Sequence, residues 1–246
     1  TLRDFSRWLQ KHDYKPKAVR TYVSSIQSYA KYYGYTITAK YINLPTSQPV
    51  SQKYPWIINE AYEFIRQLPT VEMQSIATTT LQSGLGPADI LKLTYNDIKI
   101  EYENEIVPLC FDFGRKKTDI PFMTFIGKMG VEVLREHLKG KRLKLTTLLY
   151  TVEDRKIRYH FQQLGKRKLG EYIGWNPCRL YSLRSAFRTL LGDAGLSQDY
   201  VEFFMGHHVP EQRRVYVSKT RDGWRKTYSK YEAYLSPENY VRRYEA

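Results

Sequence analysis

The sequence predicts a mainly α-helical protein with a small antiparallel β-sheet, an α+β fold. Apolar residues recur at helical spacing along most of the 246 residues, and this period is the primary signal of amphipathic helices. The period changes between residues 98 and 126, where β-branched and aromatic residues surround the turn signals "ENE" and "FGRKKTD". A hydrophobic content of 42% is enough for a core and argues against global disorder.

Residues 1–45 predict a short helical N-terminal domain. Two amphipathic helices are expected on either side of "HDYKPK", and the second places valine, isoleucine and tyrosine side chains on one face. Two short helices bury little apolar surface alone, so this face needs a partner. The proline-containing residues 46–55 are a linker candidate, and residues 56–246 form a second, larger domain.

The larger domain begins with helices and then changes to strands. "WIINEAYEFIRQL" and "VEMQSIATTTLQSGL" predict two helices, the second of which ends near Gly84. "PADILKLTYNDI" restarts a helix at Pro87, because proline suits the first turn of a helix. Residues 98–126 then predict an antiparallel sheet of two or three strands.

Helices resume at residue 128. "GKMGVEVLREHL" and the basic stretch "RKIRYHFQQLGKRKLGEY" predict two of them. "YSLRSAFRTLLGDAG" has its apolar residues on one face and Gly195 as a C-cap candidate. "SQDYVEFFMGH" begins with a serine N-cap and ends at Gly206.

The charge balance indicates a polyanionic partner. The chain carries 39 Lys and Arg against 25 Asp and Glu, which gives a net charge of +14 and a pI near 9.6. Such an excess attracts nucleic acid first and anionic membranes second, and a merely soluble basic protein is the alternative. The 22 tyrosines interleaved with basic residues suit contacts with phosphates, sugars and bases, with compositional bias as the other interpretation.

Membrane insertion and metal binding are not expected. No stretch approaches the roughly 20 consecutive apolar residues of a membrane helix, and the N-terminus lacks the apolar core of a signal peptide. Cys110 and Cys178 are far apart and lack metal-ligand spacing. We therefore expect an intracellular, cytoplasmic protein without structural disulfides.

Four sequence elements follow one another in a defined order along the chain. Lys117 lies in the basic turn "GRKKT", with Lys116 as the alternative, and Arg184 lies in "YSLRSAFRTLL". His207, in "MGHH", follows Arg184 after 23 residues, and Tyr216 follows His207 after nine. Together these elements resemble the tyrosine recombinase (phage integrase) family, and within it the archaeal or viral integrases. The resemblance covers most of the chain, because the helical N-terminus is similar to a short version of the family's core-binding domain.

The resemblance implies DNA strand transfer through a covalent 3′-phosphotyrosine. Arg184, His207 and Tyr181 would hold the scissile phosphate. Tyr216 would attack it, and Lys117 would protonate the leaving 5′ oxygen as a general acid. Arginine suits this site because its planar guanidinium donates parallel hydrogen bonds and keeps its charge, while negative charge builds on the phosphate oxygens in the transition state. No metal, nucleotide or other cofactor is implied.

Duplex DNA at recombination sites is the implied partner, and a membrane is not. The two domains would form a basic clamp around the duplex, and four protomers on two sites would exchange their C-terminal tails. The protein would then act on DNA in the cytoplasm of its host cell. The candidate DNA-contacting side chains are Lys15, Lys17, Arg20, Arg115, Lys116, Arg179 and Arg213.

Two positions depart from the family pattern. The family's first catalytic arginine aligns with Gly86 in "SGLGPADILKL", and its usual histidine aligns with Tyr181. A phenol can still donate a hydrogen bond to phosphate, whereas glycine has no side chain. Loss of such a transition-state donor lowers the rate roughly 10²- to 10³-fold. Three explanations stay open: a deliberate substitution, a naturally inactive DNA-binding relative, or replacement of the missing cation by Arg179 or Arg213.

The C-terminal tail leaves a second nucleophile assignment open. If Tyr216 were not the nucleophile, Tyr228 or Tyr231 would be next. The tail resembles family segments that dock on a neighbouring subunit, so removal of residues 228–246 should weaken assembly more than DNA binding. The rival functions are a non-enzymatic DNA-binding protein with the same fold, favoured by Gly86, and an unrelated basic helical module that binds nucleic acid.

Overall fold

The chain folds into two compact units, Thr1–Ser51 and Gln52–Ala246. Residues 46–53 of the predicted linker lie outside the described residues. The structure is a computed structural model that describes residues 1–38, 42, 44–45, 54–115, 120–170, 176–207 and 219–237.

The first unit contains the two predicted helices. Helix α1 spans Leu2–Lys11 and begins with a capping box, which satisfies backbone N–H groups of its first turn. Helix α2 spans Pro16–Tyr32, with proline in its first turn. The helices pack on each other and bury Leu9, Val19 and Val23. Most of their aromatic side chains stay exposed.

The second unit is mainly helical with a small sheet, which confirms the predicted fold class. Strands β1 and β2 span Leu109–Arg115 and Ile120–Ile126, and single 3₁₀ turns span Tyr95–Asp97 and Glu232–Leu235. The described helices are α3 Ile58–Arg66, α4 Val71–Ser83, α5 Pro87–Ile90, α6 Lys99–Glu103, α7 Lys128–Leu138, α8 Asp154–Leu169, α9 Leu180–Asp193, α10 Gln198–Phe204 and α11 Arg221–Ser229.

Helix α4 is the centre of the second unit. It contacts α3, α7, α9 and β2, and nearly all of its residues are buried. Its buried hydroxyls are paired, as buried polar groups must be: the Ser75 and Thr79 hydroxyl oxygens lie 3.1 and 3.0 Å from the Tyr150 hydroxyl. The helix ends as predicted at Gly84, whose φ of +66° turns the chain at the edge of the candidate site.

The sheet is smaller than the predicted segment. β1 and β2 pair antiparallel from Leu109 opposite Ile126, but the earlier residues Lys99–Glu103 form α6. The prediction of strand from residue 98 was therefore wrong. The alternation in "KIEYE" imitates a strand, yet its buried member is Glu101, which accepts a hydrogen bond from the Cys110 backbone N–H. The contact of the buried Glu101 carboxylate with a distant part of the chain thus outweighed the local strand-like pattern.

The helix predicted from Pro87 through "TYNDI" is also shorter in the structure. Helix α5 ends at Ile90. Four residues later Thr94 starts a 3₁₀ turn, where its backbone N–H and hydroxyl donate to the Asp97 carboxylate at 2.7 and 2.8 Å. Short polar side chains that bond the nearby backbone compete with helix continuation.

The C-terminal segment packs into its own unit. Helix α11 and the 3₁₀ turn after it bury Tyr228 and Leu235. The Tyr228 hydroxyl donates to the Gln82 carbonyl at 2.9 Å, and the Tyr62 hydroxyl donates to the Leu235 carbonyl at 2.8 Å. Tyr228 and Leu235 are therefore core residues, and removal of 228–246, which was expected to act mainly on assembly, would also take away core packing. Residues 238–246 of the tail lie outside the described residues.

Candidate active site

Arg184 is buried at the centre of the candidate site. It lies on α9, and only 2% of its surface is exposed. Its Nη1 donates to the carbonyl of Gly84 and its Nη2 to the carbonyl of Met205, the latter at 2.9 Å. These carbonyls belong to the C-caps of α4 and α10, the negative ends of the two helix dipoles. A buried cation is tolerated when it is paired in this way.

His207 contacts Arg184, although 23 positions separate them in sequence. The Arg184 Nη2 atom lies 2.8 Å from His207 Nε2. His207 Nδ1 contacts the Glu202 carboxylate on α10, and the ring is half-buried. Two of the predicted phosphate ligands therefore meet in one place.

Two glycines shape this meeting point. Gly84 and Gly206 adopt φ angles of +66° and +63°, a region that side chains disfavour. A Cβ at Gly84 would lie 2.5 Å from the Phe187 ring, and one at Gly206 would lie 2.8 Å from the Phe122 ring. Glycine is thus required at both turns for conformation and for space. One of these turns presents a carbonyl to Arg184, and the other brings His207 back over α10.

Gly86 is a glycine of a different kind. Its φ of −77° and ψ of 154° are ordinary extended backbone, which any residue adopts. A Cβ there would lie 3.1 Å from Asp89 Oδ2 and 3.9 Å from Arg184 Nη1. A side chain at position 86 would therefore emerge beside Arg184, with a carboxylate next to it. The local backbone gives no reason for glycine at this position.

Arg179 and Tyr181 lie at the start of α9. Arg179 is its N-cap residue, and Tyr181 is 44% exposed, one turn before Arg184. Both line a cavity of about 570 Å³ that also touches Pro87, the residue after Gly86. The other lining residues are Ala88, Leu91, Asp154, Arg158, Gln162, Asn176 and Leu180. Arg179 and Tyr181 therefore share a cavity with Pro87, which follows the position where the family resemblance predicts an arginine.

The remaining catalytic predictions fall outside the described residues. These are Lys117, Lys116, Arg213 and the predicted nucleophile Tyr216. Arg115 is the last residue of β1. Their placement stays a prediction.

Tyr228 is excluded as the alternative nucleophile. Its hydroxyl is bonded inside the core, and burial raises the pKa of this phenol well above its usual range. A buried phenol held neutral cannot reach a DNA phosphate. Tyr231, the second alternative, is partly buried at the end of the same segment.

The first unit carries three predicted DNA contacts on α2. Lys15 is the N-cap residue of this helix. Lys17 and Arg20 line a shallow groove of about 580 Å³ together with hydroxyl side chains. Cations and hydroxyls on one helix face suit phosphate contacts. The hydroxyl residues are Thr21, Ser24, Ser25 and Ser28.

The described residues offer no cluster of three His, Cys, Asp or Glu side chains that could hold a metal ion. Burial raises the pKa of Cys110 to about 12 and that of Cys178 to about 11, so both thiols stay protonated.

Among the described residues, every helix is too short or too polar to cross a bilayer.

Sequence reasoning missed Glu202 and Arg188. The Glu202 carboxylate contacts His207 through one oxygen and Arg188 Nη2 through the other, the latter at 2.8 Å. Neither residue stands out in the sequence, because their contact depends on the turn at Gly206. A glutamate five positions before a histidine has no meaning on a regular helix, where neighbours are three or four apart.

Comparison with solved structures identifies the fold of this chain. No protein-family model matches the sequence, and no curated protein is similar to it. Among solved structures, the Tn1549 transposon integrase in complex with a circular intermediate DNA matches with a TM-score of 0.61 at 15% identity, over 93% of this chain and 84% of that chain.

Two further structures match in the same way. The lambda integrase bound to DNA matches with a TM-score of 0.59 at 15% identity, over 84% of this chain and 75% of that chain. The XerH site-specific recombinase bound to its difH substrate matches with a TM-score of 0.58 at 15% identity, over 94% of this chain and 69% of that chain. The chain therefore has the fold of the tyrosine recombinases and integrases, as its four sequence elements predicted.

Proposed function

We propose that this chain is a site-specific DNA recombinase that cleaves and rejoins duplex DNA through a 3′-phosphotyrosyl intermediate. The observation that carries the proposal is the pairing of buried Arg184 with His207, beside position 86, on a fold shared with DNA-bound integrases. A buried guanidinium held by two carbonyls still directs charge toward an anion. This arrangement is suited to a phosphodiester.

Substrate binding begins with the scissile phosphate in front of Arg184 and His207. The guanidinium donates to its non-bridging oxygens, where negative charge grows during attack, while His207 Nε2 keeps its lone pair for the proton of the nucleophile. The exposed phenol of Tyr181 adds a second donor group from the first turn of α9. Donors fixed before the substrate arrives need no reorganisation in the transition state.

Cleavage then exchanges one phosphate ester for another. The Tyr216 oxygen bonds to phosphorus, and its phenolic proton passes to the lone pair of His207 Nε2. The bond from phosphorus to the 5′ oxygen breaks, and Lys117 gives that oxygen its proton. The phosphotyrosine keeps the energy of the broken ester. Attack by a 5′ hydroxyl of a second strand therefore rejoins DNA by the reverse proton transfers, without a nucleotide cofactor.

Duplex DNA and further copies of the chain are the proposed partners. The cations of α2 and the site cations contact the phosphate backbone, and the +14 net charge supports such a partner. Four protomers assemble on two DNA sites. Exchange between protomers is confined to residues 238–246, since the preceding segment packs in its own unit.

A second candidate is DNA binding without cleavage, and Gly86 favours it. Loss of one transition-state donor lowers the rate roughly 10²- to 10³-fold, and the pocket carries a glycine where the family has a cation. The fold, the basic surface and duplex binding would be the same under this alternative. Only the covalent step separates the two functions.

The experiment is a trap for the covalent intermediate. Target duplexes are first selected from a random library by binding, and are then nicked close to the bound site so that cleavage releases a short fragment. We expect a protein–DNA adduct that resists denaturation and is lost in Tyr216→Phe. Absence of adduct from both the chain and its Gly86→Arg variant, with specific binding intact, would establish the binding-only alternative.

A further inference from the structure

Glu202 occupies a bridging position behind His207. Its Oε2 contacts His207 Nδ1, while its Oε1 pairs with Arg188 Nη2 at 2.8 Å and also receives the Gln198 side-chain amide. Glu202 and His207 are also joined through the backbone, where the His207 N–H donates to the Glu202 carbonyl at 2.9 Å. The carboxylate is mostly buried, with 20% of its side chain exposed.

We propose that Glu202, held by Arg188, is a positioning residue that sets the orientation and the tautomer of His207 for the strand-transfer reaction. The inference rests on the proposed function for its catalytic part. Its structural part, the state of the imidazole, stands on the contacts alone.

The contacts determine which ring nitrogen carries the proton. A carboxylate only accepts hydrogen bonds, so Nδ1 of His207 must donate to Glu202. Arg184 Nη2 only donates, so Nε2, at 2.8 Å, must accept. The imidazole is therefore neutral and protonated at Nδ1, with the Nε2 lone pair directed at the phosphate-binding guanidinium.

This state suits the step that strand transfer demands. Nε2 is free of a proton before attack and can take the phenolic proton of the nucleophile. The imidazolium then formed lies between the carboxylate of Glu202 and the phosphate oxygens, both negative. The same carboxylate that orients the ring before attack thus stabilises its charge afterwards, as a carboxylate does behind a catalytic histidine in general. The described charged groups facing this ring are Glu202 and Arg184, with Arg188 behind the carboxylate.

Arg188 makes the Glu202→Gln variant informative. Arg188 and Gln198 both donate to Oε1, so the single oxygen of a glutamine must turn toward them. Its NH₂ group then faces Nδ1 of His207, which can no longer donate. The variant therefore opposes the Nδ1-protonated tautomer while it keeps nearly the same shape and volume.

The first test reads the tautomer directly. The chain has five histidines, so ¹⁵N-labelled imidazoles are resolved by NMR, and loss of one set of signals in His207→Asn assigns the ring. We expect the Nδ1-protonated tautomer in the unaltered chain and changed ring ¹⁵N shifts in Glu202→Gln. The Nε2-protonated tautomer in the unaltered chain, or unchanged shifts in the variant, would overturn the proposal. This arm does not depend on DNA cleavage.

The second test asks whether Glu202 acts through His207. It measures the rate of single-turnover adduct formation on nicked DNA. We expect Glu202→Gln to slow adduct formation about 10- to 100-fold, by analogy with residues that orient metal-bound histidines, with DNA affinity and melting temperature unchanged. In a His207→Asn background the same substitution should have no further effect. Equal losses in both backgrounds would assign Glu202 a general structural role instead.

The matched control is Glu136→Gln on α7, where the side chain is 62% exposed and pairs with Lys139. It makes the same change of charge away from the site and should leave adduct formation unaltered. If no adduct forms in any background while the tautomer test succeeds, the proposed cleavage fails and the assignment of the imidazole stands.

Discussion

At the scale of single residues, position 86 is where the proposed cleavage and the alternative of binding without cleavage differ. Its neighbours Gly84 and, across the site, Gly206 are glycines of necessity, because both adopt positive φ beside an aromatic ring. Gly86 has ordinary extended backbone, and a Cβ there would fit beside Arg184 once the Asp89 side chain, 3.1 Å away, shifts by a few tenths of an ångström. The pocket is thus compatible with an arginine that the chain does not have.

Gly86→Arg should raise the rate of adduct formation about 10²- to 10³-fold, because it restores a transition-state donor beside Arg184. The carboxylate of Asp89, which would lie 3.1 Å from the new Cβ atom, balances the added charge. Single-turnover cleavage of nicked DNA measures the effect. Gly192→Arg is the control, since it adds the same charge to an open, exposed position of α9.

Replacement of the missing cation by Arg179 makes a separate prediction. Arg179 lines the cavity that reaches Pro87. If it serves the phosphate, Arg179→Ala should slow adduct formation about 10²-fold or more, and Gly86→Arg should restore most of the loss. A defect that Gly86→Arg leaves in place would assign Arg179 to DNA backbone contact instead.

At the scale of elements, the segment after the predicted nucleophile belongs to the core. Helix α11 is held to α6 by Arg225, whose Nη2 lies 2.5 Å from Glu101 Oε1, and to β1 by Arg221, whose Nη2 lies 2.5 Å from Asp112 Oδ2. The following 3₁₀ turn reaches α4 through Leu235. These contacts hold α11 and the 3₁₀ turn against α6, β1 and α4.

Removal of residues 228–246 should unfold the second unit and lower the melting temperature far more than removal of 238–246 does. The longer deletion takes away Tyr228 and Leu235, both fully packed, and loss of such side chains costs about 2–5 kcal/mol each. Thermal unfolding followed by circular dichroism compares the two chains. Equal melting temperatures would contradict the core assignment.

Point substitutions give the same prediction without deletion. Leu235→Ala should lower the free energy of unfolding by about 2–5 kcal/mol, as measured by urea denaturation. The adjacent Tyr234, 51% exposed, serves as the matched control, and Tyr234→Ala should change it by about 0.5 kcal/mol or less.

At the scale of the whole molecule, the net charge of +14 should govern the proposed association with DNA. Each cation that neutralises a phosphate releases a counterion and adds about 0.9 to the slope of log affinity against log salt concentration. Removing Lys17 and Arg20 together should therefore lower that slope by about 1.8. Titrations of labelled duplex at several salt concentrations measure the slope. Lys139→Ala, at the C-cap of α7, is the control, because this cation lies outside the predicted contacts. An unchanged slope would remove α2 from the DNA interface.

The sequence predicted the fold class and the meeting of Arg184 with His207, because helical periodicity and the order of motifs are properties of the chain itself. It failed where a distant partner decided the outcome. Glu101 converts a strand-like pattern into α6 by pairing with α11, and Leu235 is buried within its own unit. Glu202 stayed unseen because a positive φ at Gly206 creates its contact, and no local pattern encodes that geometry.

The packing of α11 has a topological consequence for the reaction. Residues 208–218 join His207 to α11, and both of these ends are fixed within one unit. The predicted nucleophile Tyr216 lies between these two ends in sequence. We therefore expect each chain to use its own tyrosine, because giving Tyr216 to another protomer would draw α11 out of its core packing.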